Sequence, residues 1–428
     1  MQTSLRGIAN RAASHKKHRF GSLYGLLNEE NLAWCFDFLK KDAAPGVDRV
    51  DYLEYQRNLA SNNHDLVELL KTNRYRAKLV KRRYIPKLNG KMRPLGIPTT
   101  EDKLVQVAVA KILEAIYEQD FLEWSYGYRP KRSPQDAVTA LTRMLHYGRY
   151  CWVVEADIKR FFDNIDHDWM IRMLKERVDD KPFLRLIRKW LQAGILETDG
   201  QVVHPATGTP QGGIVSPILA NIYLHYALDL WFERRVRPRC RGAAMIIRYA
   251  DDFVCAFQYQ SDAEAFYGSL GARLGEFGLS VAEDKTRILR FCRFDLAASG
   301  RFVFLGFEFS WDRTRRGLRG VKRRTSRRKL RASLAMFTAW IKNHRHRCLH
   351  EIIPILKAKY RGYWNYYGVV GNSVSLAQFF YRSKRILFKW LNRRSQRPSY
   401  TWTGFQALLD LVGIHAPRIT SIDQPRLL

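Results

Sequence analysis

Between residues 246 and 257 the chain reads IIRYADDFVCAF, two apolar runs rich in β-branched and aromatic side chains parted by Tyr249-Ala250-Asp251-Asp252. That pattern predicts strand, tight turn, strand. A second apolar run, Trp152-Val153-Val154, reads as a strand ending at Asp157, and the residues from there to Met170 carry an amphipathic pattern that predicts a helix. Across roughly 95–310, helical patterns alternate with short apolar strands. Ser216 followed by Pro217 marks a helix N-cap and first turn, and Asn89-Gly90 marks a hairpin tip.

At 428 residues the chain is long enough for two or three domains, and a hydrophobic fraction of 46% excludes a disordered chain. No apolar run approaches the ~18–20 residues that span a bilayer, so a soluble, non-membrane protein is expected. The six cysteines (Cys35, Cys151, Cys240, Cys255, Cys292 and Cys348) lie far apart with no CxxC. Neither a zinc ribbon nor a disulfide framework is indicated, and a reducing, bacterial cytoplasm fits.

Charge changes the picture most. Lys and Arg total 73 against 41 Asp and Glu, a formal net charge of +32, which points to a polyanionic partner. Nucleic acid comes before an anionic membrane surface. Ten basic residues and no acid lie between Lys71 and Arg93, Arg82 and Arg83 among them. From Trp311 to Tyr400 there are 24 basic residues against two acids, interleaved with aromatics in KYRGYWNYYGVV and FFYRSKRILFKWLNRRSQRPSYTW. Cations can track phosphates while rings stack on bases or pack a core beneath. The first 28 residues contain no acid; they read as an RNA-contacting basic extension ahead of an organellar transit peptide. The near-neutral middle reads as the catalytic part.

An acid at the end of a buried strand, facing a hairpin with two more, suits two-metal chemistry. Mg²⁺ prefers oxygen ligands and binds through one or two carboxylates plus substrate phosphates; two such ions assist phosphoryl transfer. The plain alternative for Asp251-Asp252 is a solvated turn, since Asp is a common turn former. Sequence alone does not bring the three acids together.

The ordered blocks GVD, YIPKLNGKMRPLGIPTTEDKLVQ, SYGYRPKRS, DIKRFFDNIDH, GTPQGGIVSPILANIYLH, RYADDF, FGLSVAEDKT and FLGFEF resemble those of bacterial group II intron-encoded reverse transcriptases. YRGYWNYYGVVGNSVSL and KWLNRRSQRPSYTW resemble the thumb and maturase region of the same family, so the likeness runs from about Gly46 to the C-terminus. It implies an α+β right-hand polymerase with fingers, an antiparallel palm sheet and a helical thumb, followed by a helical maturase (X) domain. The expected division is a basic extension over 1–45, fingers and palm over 46–310, and thumb with maturase domain over 311–428.

The resemblance also assigns roles. Asp157, Asp251 and Asp252 match the palm acids that hold two Mg²⁺ ions, with the Ile158 carbonyl as an extra ligand. Lys87 and Arg93 match fingers residues that grip the incoming triphosphate, and Phe162 the bulk that excludes a 2′-hydroxyl, Phe161 being left to the core. Gln211, with the amides of Gly212 and Gly213, approaches the nucleotide, and Lys285 faces its polyphosphate side. Arg382, Lys384, Arg385, Lys389, Arg393, Arg394 and Arg397 are candidates for contact with intron RNA, beside Arg82 and Arg83 in the fingers. The implied partners are group II intron RNA, an RNA template with a DNA primer, and dNTPs.

Two positions depart from the family's pattern: Arg160 and Arg49 stand where relatives usually carry Gly. Template contacts are expected to differ there. The endonuclease module of many relatives has no counterpart after Tyr400, so target-DNA cleavage is not expected, and His344, His346 and His350 read as part of the basic face. The leading function is an RNA-directed DNA polymerase that also assists splicing of its intron. The alternatives are an RNA-binding splicing cofactor and a group II-like enzyme in defence or repair.

Overall fold

The computed structural model describes residues 1–86, 92–209, 212–313 and 317–420. Its strands are β1 (Val80–Pro86), β2 (Met92–Ile97), β3 (Trp152–Asp157), β4 (Ile195–Leu196), β5 (Val202–Val203), β6 (Ala244–Tyr249), β7 (Asp252–Phe257), β8 (Arg287–Arg290), β9 (Phe302–Phe304), β10 (Phe307–Arg313) and β11 (Arg319–Thr325). They form three sheets, ordered β2-β1-β4-β5, β6-β7-β3-β8 and β11-β10-β9. The second is the palm, antiparallel throughout.

The palm strands read as continuous apolar runs because both faces are covered. Val154, Ala156, Ile246, Phe253, Cys255 and Phe257 face one core, built with the helices Thr100–Tyr117 and Ser216–Leu224. Their neighbours Val153, Met245, Ile247, Val254 and Ala256 face a second, formed with the helix Pro134–Tyr147 and the phenylalanines of β9 and β10. This is the two-residue period of a strand, with apolar side chains on both sides. Three basic helices, Arg327–His344, Leu349–Tyr367 and Ser373–Leu391, and the uncharged-to-acidic helix Trp402–Leu411 close a third core of their own.

Packing continues across residue 45: Ala12, Phe20, Leu23, Leu32 and Phe36 are buried in the first core. The buried Arg177 donates to the carbonyls of Ala12 and His15 and pairs with Asp120, fixing the N-terminal helix Gln2–Ser14. Packing also continues across residue 310, since β10 and β11 extend the sheet begun by β9.

Three sequence expectations need correction. Cys151 and Cys292 are joined in a disulfide. Their separation of 141 residues concealed it, but they flank the antiparallel pair β3 and β8, where the Phe291 amide donates to the Cys151 carbonyl at 2.7 Å. The stretch after Asp157 is a single 3₁₀ turn, Phe161–Asp163, and the helix starts only at His167, capped by the Asp166 carboxylate. The N-cap expected at Ser216 is Val215; the Ser216 hydroxyl instead shares a 2.8 Å hydrogen bond with Thr209.

Candidate active site

Asp157 ends β3 and Asp252 opens β7, and the two are cross-strand partners, so their side chains leave the sheet on the same face. Asp251 occupies the turn between β6 and β7, after Ala250 at φ 56°. The bland reading of the turn as solvated fails on burial: Asp251 and Asp252 are only half-exposed. Burial raises both carboxyls, and the neighbouring charges add to it. For Asp252 burial comes first, then Asp157 and Asp251, and the group is pushed up to about 7. Asp251 is raised by burial and by Asp157, against the opposing fields of Arg93 and Lys285.

Lys285 donates its ammonium to the Asp157 carboxylate, an interaction that raises the lysine. Among the described residues no three His, Cys, Asp or Glu side chains are already arranged as a metal cluster. The donor set nevertheless fits a hard divalent cation: three mutually repelling carboxylates stand together, and an ammonium already neutralises one of them. Ile158 forms an isolated bridge with Val281, but its two hydrogen bonds use the Lys159 amide and the Asp157 carbonyl, not the Ile158 carbonyl.

Around the acids the structure places Arg93, on the exposed β2 and close enough to affect both Asp251 and Tyr128. Phe162 is 7% exposed, in edge contact with Tyr128 at 6.4 Å, and its carbonyl accepts from Thr209. Phe161 packs edge-on to Tyr223 in the core, as expected. Tyr128 was missed. It lies in the SYGYRPKRS block, but only the fold shows it beside Phe162, Asp251 and Arg93. Lys87 and Gln211 lie outside the described residues. Arg82 pairs with Glu197 at 2.9 Å, which the Tyr84 hydroxyl also holds, whereas Arg83 is exposed.

Arg382, Arg385 and Lys389 on the helix Ser373–Leu391, and Arg393 and Arg397 in the connection that follows it, are exposed. Lys384 donates to Gln406. Arg393, Arg345 and Lys342 surround the Trp390 ring at 5.3–6.0 Å. Part of Arg394 is buried, its Nε and Nη2 making no hydrogen bond. A cavity of about 750 Å³ lies between Tyr381, Lys384, Arg385, Phe388 and Trp402. His344 is turned onto the Trp340 carbonyl. No helix among the described residues is long and apolar enough to cross a membrane.

A strand-end carboxylate facing an acidic hairpin, a basic β-ribbon alongside and a helical domain behind define a right-hand nucleic-acid polymerase. Residues 85–309 match the family "Reverse transcriptase (RNA-dependent DNA polymerase)". The protein YkfC of Escherichia coli is 33% identical over 325 residues, 69% of this chain and 83% of that one. The group II intron-encoded protein LtrA of Lactococcus lactis is 32% identical over 398 residues, covering 74% of this chain and 65% of LtrA. A 91 kDa protein in a cob intron of Schizosaccharomyces pombe is 30% identical, with 74% and 46% covered. The chain belongs to the reverse transcriptase family, the RNA-directed DNA polymerases, and within it to the group II intron-encoded reverse transcriptases and maturases.

Proposed function

We propose that this protein copies RNA into DNA by two-metal nucleotidyl transfer at Asp157, Asp251 and Asp252, and that it binds a group II intron RNA and assists its splicing. The observation that carries the first part is the pairing of Asp157 with Asp252 beside the Asp251 turn. In the reaction the primer 3′-oxygen bonds to the α-phosphorus of a dNTP and the bond to pyrophosphate breaks. Two Mg²⁺ ions bound by the three carboxylates, with the Ile158 carbonyl as a further oxygen, would activate the 3′-hydroxyl and neutralise the leaving oxygens. The protein's own share is positioning. Lys285 keeps Asp157 oriented and can swing to the polyphosphate, and Arg93 offers a planar fork to phosphate from the fingers side. Lys87 and Gln211 are further nucleotide contacts. Phe162, wedged against Tyr128, presents a flat wall under the sugar.

The maturase part rests on the basic, aromatic surface of the C-terminal helices and on the likeness to LtrA. Arg83 and the exposed cations from Arg382 to Arg397 would follow the RNA backbone. The polymerase reading is tested by primer extension on an RNA template with Asp251→Asn. A loss of roughly 10²-fold or more, with RNA affinity unchanged, is expected. Wild-type extension by the variant would overturn the assignment.

A further inference from the structure

The turn that carries Asp251 rests on a buried charged cluster. Arg248 and Asp229 both have fully buried side chains, joined by bonds of 2.7 and 2.5 Å. All five N–H donors of the guanidinium are used: besides Asp229 they reach Asn221 Oδ1 at 3.1 Å, Ser125 Oγ at 2.8 Å and the Ala250 carbonyl at 3.1 Å. Ala250 is the left-handed residue immediately before Asp251. Asn221 closes the circuit by donating to the Gly127 carbonyl at 2.6 Å. Gly127 lies so close under the turn that a Cβ there would stand 2.2 Å from the Ala250 nitrogen. The main chain of Arg248 is held by the same segment, its amide donating to Trp124 O and its carbonyl accepting from Tyr126 N. Asp229 ends a π-helical turn, His225–Asp229, a local widening that often accompanies function.

We infer that Arg248 is a positioning residue for Asp251: neutralised by Asp229, it holds the Ala250 carbonyl and so sets the height and direction of the turn's carboxylate. Stability alone does not account for it. A buried ion pair is a poor source of stability, and apolar side chains of similar volume commonly replace one without loss. What they cannot replace is a donor aimed at Ala250 O. The inference rests on the reading of Asp251 as a metal ligand.

Two variants test it. The apolar pair Arg248→Met/Asp229→Leu fills the space without the donors; Arg248→Lys keeps the charge but lacks the fork that reaches Ala250. In each, melting, primer–template affinity, the extension rate at saturating dNTP and the Mg²⁺ concentration for half-maximal rate are measured. The expected result is a cooperative melt, affinity within about twofold of wild type, a rate at least roughly tenfold lower and a half-maximal Mg²⁺ concentration at least roughly threefold higher. Folded variants with wild-type rate and Mg²⁺ dependence would overturn the inference. So would failure of both to fold, which would make the cluster a determinant of stability. If wild type and Asp251→Asn extended primers alike, the metal-ligand reading itself would fall, a result distinguishable from either.

Discussion

The backbone amide of Leu305, in the turn between β9 and β10, faces the carboxyl of Asp252 and lowers its pKa. Leu305 has φ 49° and is followed by Gly306 at φ 82°, so the FLG turn is bent to bring that amide onto the palm. On the other side of this turn the Tyr366 hydroxyl donates to the Leu305 carbonyl at 3.0 Å, linking the helix Leu349–Tyr367 to the turn beside the acid. The single amide opposes, without cancelling, the effect of burial and neighbouring charge.

A stability consequence follows for Asp252. Its carboxyl titrates near 7 in the folded protein against an ordinary value of 3.8. Between these values the folded state keeps a proton that the unfolded chain has released, so stability falls as pH rises through the window. The loss is complete above about 7. Asp252→Asn should therefore raise the melting temperature at pH 8 in EDTA, on the order of a few degrees, and change it little near pH 4. Calorimetry at the two pH values checks this. Mg²⁺ should narrow the difference at pH 8 by stabilising the wild type more than the variant, which lacks one of the three carboxylates.

Both departures from the family's glycine fall at left-handed residues, Arg160 at φ 47° and Arg49 at φ 63°. A side chain there costs about 1–2 kcal/mol, partly offset by the greater freedom of glycine in the unfolded chain. Arg160→Gly and Arg49→Gly should each stabilise the protein by up to about 1 kcal/mol, read from urea melts. A loss of stability in either variant would mean that the arginine side chain contributes more than its strained backbone costs.

Phe162→Ala should raise incorporation of ribonucleotides relative to deoxyribonucleotides, by up to about 10²-fold, because it opens the wall beneath the sugar. Its burial against Tyr128 adds a cost in stability of about 3–5 kcal/mol, so the competition assay belongs at low temperature. Unchanged discrimination would leave Phe162 as a core residue alone.

Replacing Arg393, Arg394 and Arg397 with Ala should weaken binding to intron RNA and flatten the plot of log affinity against log salt. Arg394 is partly buried, so the change in slope should be nearer two contacts than three, up to roughly 2 units at about 0.7–0.9 per lost phosphate contact. Extension of a short pre-annealed primer should stay near wild type. Lost extension with an unchanged slope would assign these residues to the polymerase clamp.

Three of the four palm strands, β3, β6 and β7, were legible because β-branched and aromatic runs such as MIIRY and WVV are local signals, whereas the short, charge-flanked β8 (RILR) was not. The hairpin turn at 250–251 was legible for the same reason. What escaped depends on contacts between distant segments. Neither the Cys151–Cys292 disulfide nor the pairing of Arg248 with Asp229 has a spacing that sequence alone can recognise. Tyr128 looked like any exposed tyrosine in a basic loop. The parallel pairing of β1 with the two-residue β4 is too short to leave a periodic trace. The helix expected directly after Asp157 failed because Arg160 turns the backbone left-handed and ends the pattern locally.

The central place of β3 in the palm bears on how the chain is made. Both its partners are synthesised later, β7 roughly 100 residues on and β8 further still. At about 5–20 residues per second, β3 emerges from the ribosome and waits about 5–20 s for its first neighbour. During that time Trp152, Val153 and Val154 form a bare, strand-prone segment, the kind that pairs with another nascent chain. Glu155 and Asp157 interrupt it with charge, as gatekeeper residues do. The same carboxylate that serves the finished site thus also helps keep the unfinished strand apart from its copies.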